Sequence, residues 1–360
     1  MATHAPARDP LAGTGAAGVR RESREWLWSL LAGVAILAAI ALVPLSGDDA
    51  ALSLWTLIVM FCVLAQGWNF IGGYAGYAAF GNVVFFGIGA EAVALTLLNG
   101  GPFWLGLLLG TLAAGLFAFL LGLPVLRLRG HYFAIATLGI AEALGELVAA
   151  KAIGGPGGEV SLTPPDLDFH IANTLFFYGF LALSLLTLLG TAWLARSRFG
   201  VALVAIRENE EAAEALGIPT FWYKVGAFVL SALPTALAGG LYAYWFLSLQ
   251  PTGEGGVFDV GYSVSMVLMT FLGGAGTIVG PLIGGIIIEY LVQTTTVAFG
   301  DIHGQLLGAL IILVTIFLPQ GLIRLVRELT VSPAGVKLSY TRRFTEGVRR
   351  VQRFIASNGI

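Results

Sequence analysis

Four glutamates interrupt the long apolar runs of this 360-residue sequence: Glu91, Glu142, Glu146 and Glu289. An ionised carboxylate at the centre of a bilayer helix costs about 2.5–3.5 kcal/mol on insertion scales, so each is expected to face protein or water. Glu142 and Glu146 are one helical turn apart and share a face. Such acids could meet a substrate ammonium along a pathway, hydrogen-bond a neighbouring helix, or sit in water near a span end. With Asn82 and Thr137 they make up the candidate pathway residues. A proton relay is disfavoured, because no in-membrane lysine, arginine or histidine is placed to pair with them. Nothing resembles an enzyme site. None of the three lysines follows a glycine, so there is no P-loop, and the chain is not expected to hydrolyse ATP. His4, His131, His170 and His303 have no second ligand at metal spacing, and Cys62 is alone. No metal and no cofactor are expected in this chain.

The only long polar interruption is RFGVALVAIRENEEAAEALGIP, residues 198–219. Arg207, Glu208, Asn209, Glu210, Glu211, Ala212, Ala213, Glu214, Ala215 and Leu216 are expected to form a short helix. Its apolar side would be Ala212, Ala213 and Leu216, with Gly217 as the residue that ends it and Pro219 as the stop. So short a helix needs something to pack on. The residues alone leave two readings: a connector resting on its own membrane domain, or a docking helix for a soluble partner.

Of the whole sequence, 57% is hydrophobic and 11% is charged, against about a quarter charged in soluble domains. That excludes a soluble globular domain or a nucleic-acid binder and predicts an all-α polytopic membrane protein. About ten spans are expected, at 26–43, 51–71, 75–98, 102–123, 131–150, 172–195, 223–248, 260–273, 278–298 and 304–319. With the N-terminus inside, every lysine and arginine of the 19 except Lys151 falls on the cytoplasmic side. Both termini are therefore expected to be cytoplasmic. Residues 1–25 read as a disordered cytoplasmic tail, 26–322 as the transmembrane domain with a cytoplasmic loop at 196–222, and 323–360 as a basic cytoplasmic tail. The second to fifth and seventh to tenth spans run in opposite directions, which suits an inverted repeat of four plus four helices.

Glycine crowds two stretches. Gly72, Gly73 and Gly76 lie in one, and Gly273, Gly274, Gly276, Gly280 and Gly284 in the other. These are expected helix-packing residues, with Gly276, Gly280 and Gly284 forming a ridge of small residues on one helix. Asn82 and Pro281 are breakers within the same two stretches, and interrupted helices often line transporter cavities.

Several ordered blocks resemble one family. SRFGVALVAIRENEEAAEALGI, YKVGAFVLSALPTALAGGLYA, GYAG…FGN…FFGIGA, LRLRGHYFAIATLGIAE and LPQGLIRLV, spread over about 60–326, resemble the M-type permease subunits of branched-chain amino acid ABC transporters. The resemblance implies a non-catalytic permease subunit of an ATP-driven importer in a bacterial or archaeal cytoplasmic membrane. Its cargo would be branched-chain amino acids or a related small amide, urea or carboxylate. It implies a homologous second permease, two ATPase subunits that hold ATP and magnesium, and an extracytoplasmic solute-binding protein. Residues 207–217 would be the coupling helix that touches an ATPase. Glu91 departs from the family pattern, where an uncharged residue is expected. The alternative from another class is a stand-alone secondary transporter or channel for a small polar solute.

Overall fold

The computed structural model describes residues 15–150, 158–164, 168–253, 255–299 and 322. The expected tenth span at 304–319 and the 323–360 tail lie outside the described residues. The described residues are helical throughout apart from loops and one two-residue strand pair, β1 (Val160–Ser161) with β2 (Ser248–Leu249). The helices are α1 (Gly15–Ile40), α2 (Asp49–Trp68), α3 (Val83–Leu98), α4 (Phe103–Val125), α5 (His131–Ala150), α6 (Phe169–Arg196), α7 (Arg198–Glu208), α8 (Glu210–Ala215), α9 (Thr220–Phe246), α10 (Val260–Gly273) and α11 (Gly280–Phe299). Six helical segments among them are long and apolar enough to cross a membrane, and α3 and α10 are shorter apolar helices. The protein is an all-helical polytopic membrane protein.

Two expected boundaries change. Helix α1 starts at Gly15, within the stretch expected to be a disordered tail. Ala16, Ala17, Arg20, Arg21, Glu22 and Arg24 favour helix and extend the apolar span backwards. The third expected span, 75–98, is helical only from Val83. Residues 75–82 are non-helical, after a π-helical turn, Asn69–Tyr74, that ends α2. Such backbone is tolerated at membrane depth only where protein satisfies it. Here neighbouring side chains meet part of that need: Trp68 Nε1 donates to the Ala79 carbonyl at 2.7 Å, and Phe80 N donates to Thr137 Oγ1 at 3.1 Å.

Helices α2 and α9 are the centre, each largely surrounded by protein. α2 packs against α10 and α11, and α9 packs in the same manner against α3 and α4. α3 and α4 are neighbours, as are α10 and α11, and α2 touches α9. Exchanging α2 with α9, α3 with α10 and α4 with α11 maps these pairings onto one another, although α2 packs far more than α9 against α6. In lipid no hydrophobic force drives helices together, so close approach must supply the contact energy. A Cβ on Gly89 would lie 2.0 Å from the Ala236 carbonyl oxygen, and one on Gly239 1.9 Å from that of Phe86. The α3–α9 seam is therefore backbone against backbone. The ridge expected from Gly276 to Gly284 is not on one helix: Gly276 is in the α10–α11 loop at φ +74°, and α11 begins at Gly280. Gly273, Gly280 and Gly284 nevertheless meet, since a Cβ on Gly273 would lie 1.7 Å from the Gly280 carbonyl oxygen.

Candidate functional site

One end of the bundle collects the basic residues of several separate segments. Arg196 lies 4.2 Å over the Trp26 ring, joining the end of α6 to α1. Arg127 lies over Phe221, and Arg129 from the α4–α5 loop faces α8. The opposite end carries the His170–Asp49 contact and the β1–β2 pair.

At the basic end, α7 and α8 are separate helices rather than the single 207–216 helix expected from sequence. Asn209 breaks them with an extended backbone, φ −161° and ψ 106°. Its Oδ1 then accepts from Ala212 N at 3.0 Å and caps α8. The other end closes as expected. Gly217, at φ +84°, donates to the Glu214 carbonyl, and Ile218 N donates to that of Ala213. This is the double hydrogen bond of a glycine-terminated helix, and only glycine adopts that φ without strain.

A single turn of helix turns two residues inward. Ala213, expected on a partner-facing side, is only 2% exposed and packs in the core with Leu203, Ile206 and Val225. Glu210 reaches Lys224, whose side chain is 4% exposed. Lys224 Nζ donates to Glu210 Oε1 at 2.7 Å, Tyr77 OH at 3.0 Å and the Leu126 carbonyl at 3.1 Å, so all three protons have partners. Tyr77 OH donates to the other Glu210 oxygen. Burial would raise the Glu210 carboxyl, but the Lys224 and Tyr77 hydrogen bonds and the charges of Lys224 and Arg129 hold it below the ordinary carboxylate value. A buried lysine was not foreseen. Its signal was its place inside an apolar run, at the start of YKVGAFVL.

The outward side of the loop is Glu208, Glu211, Ala212, Glu214, Ala215 and Leu216, all exposed. Leu216 is 81% exposed. Arg207 points the other way: Nη1 donates to the Gly73 carbonyl at 2.9 Å, while Nη2 meets Glu208 at 2.9 Å. Gly73 in turn abuts Gly276, and Asn69 ties that loop down by accepting from Gly276 N and donating to the Thr277 carbonyl.

The six candidate pathway residues do not converge. Asn82, just before α3, and Thr137, on α5, are buried, with Asn82 Nδ2 donating to Ser231 Oγ, Val83 N to Ser263 Oγ and Phe80 N to Thr137 Oγ1. They pin a broken helix to α5, α9 and α10. Glu289 is buried and accepts from Gln293 Nε2 at 2.7 Å. Glu91 is 7% exposed, and neither of its oxygens has a hydrogen-bond partner. Glu142 and Glu146 are exposed on α5, in a strip with Gly139 and Ala143. The exposed side of α4 carries only apolar residues such as Leu108, Leu112, Leu116 and Phe119.

Residues 50–315 match the family model described as the permease component of the branched-chain amino acid transport system. The chain is 30% identical over 324 residues to the high-affinity branched-chain amino acid transport system permease protein LivM of Escherichia coli K12, covering 82% of this chain and 75% of that protein. It is 29% identical to LivM of Salmonella typhimurium over the same shares. It is also 27% identical over 196 residues to the autoinducer 2 import system permease protein LsrC of Yersinia pestis, covering 51% and 54%. No solved structure matches. The chain therefore belongs to the family of permease components of branched-chain amino acid transport systems, multi-pass membrane subunits of ABC transporters that have no catalytic site of their own.

Proposed function

We propose that this chain is one of two homologous permease subunits of an importer for branched-chain amino acids or a closely related small solute. It works in a cytoplasmic membrane with two ATPases and an extracytoplasmic solute-binding protein. The observation that carries this reading is α8: a short helix fixed from beneath by Lys224 and Glu210, presenting Ala212, Ala215 and Leu216 outward among acidic residues. That surface suits a shallow, basic-rimmed cleft on an ATPase. The convergence of arginines at the same end supports its being cytoplasmic, with both termini on that side and about ten spans. The exchange of pairings between α2, α3, α4 and α9, α10, α11 supports an inverted repeat. The test is Leu216→Arg in the co-expressed complex. Wild type should co-purify with both ATPases and take up labelled leucine, isoleucine or valine in proteoliposomes with the binding protein. Leu216→Arg should reach the membrane but lose the ATPases. Full co-purification and uptake by that variant would remove α8 as the docking element.

The exposed acids of α5 support a pathway along this helix within this reading. Glu142 lies near the middle of the helix, where a lipid-facing carboxylate is unfavourable. The second permease covers this strip, with Gly139 and Ala143 allowing close approach and the acids facing a wet pathway between the subunits. Glu142→Gln with Glu146→Gln should therefore lower uptake several-fold while assembly stays intact. Normal uptake by the double variant would assign these acids to bulk solvent.

A further inference from the structure

We infer that Arg207 is not a docking residue but the pin through which movement of α7 and α8 reaches both broken-helix segments of the membrane domain. The inference rests on the coupling role proposed above and deepens it. Arg207 closes α7 just before the Asn209 break, and its side chain is one quarter exposed, 25%. It is wedged between two glycine turns from distant parts of the chain. A Cβ on Gly76 would lie 2.6 Å from Arg207 Cγ, and one on Gly276 would lie 2.5 Å from Arg207 Nη1. Both glycines have positive φ, +77° and +74°, so the turns themselves are set by backbone that other residues resist.

Each turn adjoins one of the two shorter apolar helices. Gly76 opens the 75–82 segment that runs into α3, and Gly276 lies in the loop that leaves α10. The starts of those two helices are joined to each other, Val83 N donating to Ser263 Oγ at 3.0 Å. The 75–82 segment is also bonded to α5 through Phe80 N and Thr137, less than two turns before Glu142 on the same helix. A displacement of Arg207 thus acts on both halves of the packing and on the helix that carries the exposed acids. The contacts are direct at each step, as a mechanical route requires. The guanidinium suits the position because its planar fork serves two directions at once, inward to the Gly73 carbonyl and outward to Glu208. A lysine could make the inward bond but not both.

The test uses the full complex with its ATPases and binding protein in proteoliposomes, comparing wild type with Arg207→Met and Arg207→Lys. Arg207→Met should retain both ATPases at wild-type ratio and keep basal ATP hydrolysis. Its substrate-stimulated hydrolysis and uptake should fall about tenfold, within the usual span of coupling between sites. Arg207→Lys should recover part of the stimulation. Unchanged uptake in Arg207→Met would overturn the inference. Loss of the ATPases from a folded Arg207→Met subunit would also overturn it, by making Arg207 a docking residue. Should Arg207→Met fail to accumulate, Arg207→Gln is read by the same two outcomes. A wild-type complex that never retains ATPases would instead refute the proposed function itself.

Discussion

Gly284→Leu should abolish accumulation of the folded subunit or lower its stability by more than about 3 kcal/mol, the top of the usual range for overpacking. A Cβ at that position would lie 1.8 Å from the Met269 carbonyl oxygen and 2.9 Å from Gly273 N. Both neighbours are backbone of α10, and neither can swing aside as a side chain would. Relief would require the α10–α11 pair to separate. That would pull Gly285 from its contact with Cys62 on α2, where a Cβ would already lie 2.9 Å from the sulfur. Gly139→Leu is the matched control, because a Cβ there meets nothing within 4 Å in this chain. Size-exclusion profiles and thermal melts in detergent should show the control near wild type and Gly284→Leu aggregated or melting far lower. Equal melts for the two would show that α10 and α11 can part at little cost.

These glycines also show what the sequence could convey. Their density announced close packing, but the spacing of Gly276, Gly280 and Gly284 suggested one ridge where the chain instead makes a turn and then a helix. Spacing carries a face only if the residues share a helix, and the positive φ of Gly276 could not be read in advance. The segment 75–82 misled for a related reason. Its alanines and aromatics are as apolar as a helix would need, and hydropathy does not separate a buried extended segment from a buried helix. Asn82, with Gly76 and Gly81, was the local warning, and Asn82 does stand at the break. Gly217 was legible because a helix-ending glycine has a local signature that needs no tertiary information. The inward turn of Glu210 and Ala213 had none. A six-residue helix is too short to declare which side is buried, and its orientation is set by Lys224, Tyr77 and Leu126 from three other segments. Likewise, the one-turn spacing of Glu142 and Glu146 correctly put them on one face, yet it could not say that this face is the outer one.

Because that orientation rests on one buried cation, Lys224→Met should be strongly disruptive. Breaking a buried ion pair by removing one partner costs about 3–5 kcal/mol, since the other charge is left without its neutralising partner. The lower end, about 3 kcal/mol, is expected here. The Glu210 side chain is 15% exposed and Arg129 remains 3.9 Å away. Tyr77 would still donate to Glu210, but the Leu126 carbonyl would lose its donor. Glu210→Gln should be milder, because Lys224 keeps Tyr77 and the Leu126 carbonyl and an amide oxygen can still accept. The double variant Lys224→Met with Glu210→Gln should lose less than the sum of the two singles, by roughly 1–2 kcal/mol, as groups in one network couple. Thermal unfolding of the four proteins in detergent measures that difference. The same four, assembled with the ATPases, separate anchoring from docking. With α8 unanchored, Lys224→Met should lose stimulated ATP hydrolysis, although every residue on the outward face of α8 is unchanged. Strict additivity of the two substitutions would show that Glu210 and Lys224 do not hold each other. Full stimulation in Lys224→Met would show that α8 keeps its place without them.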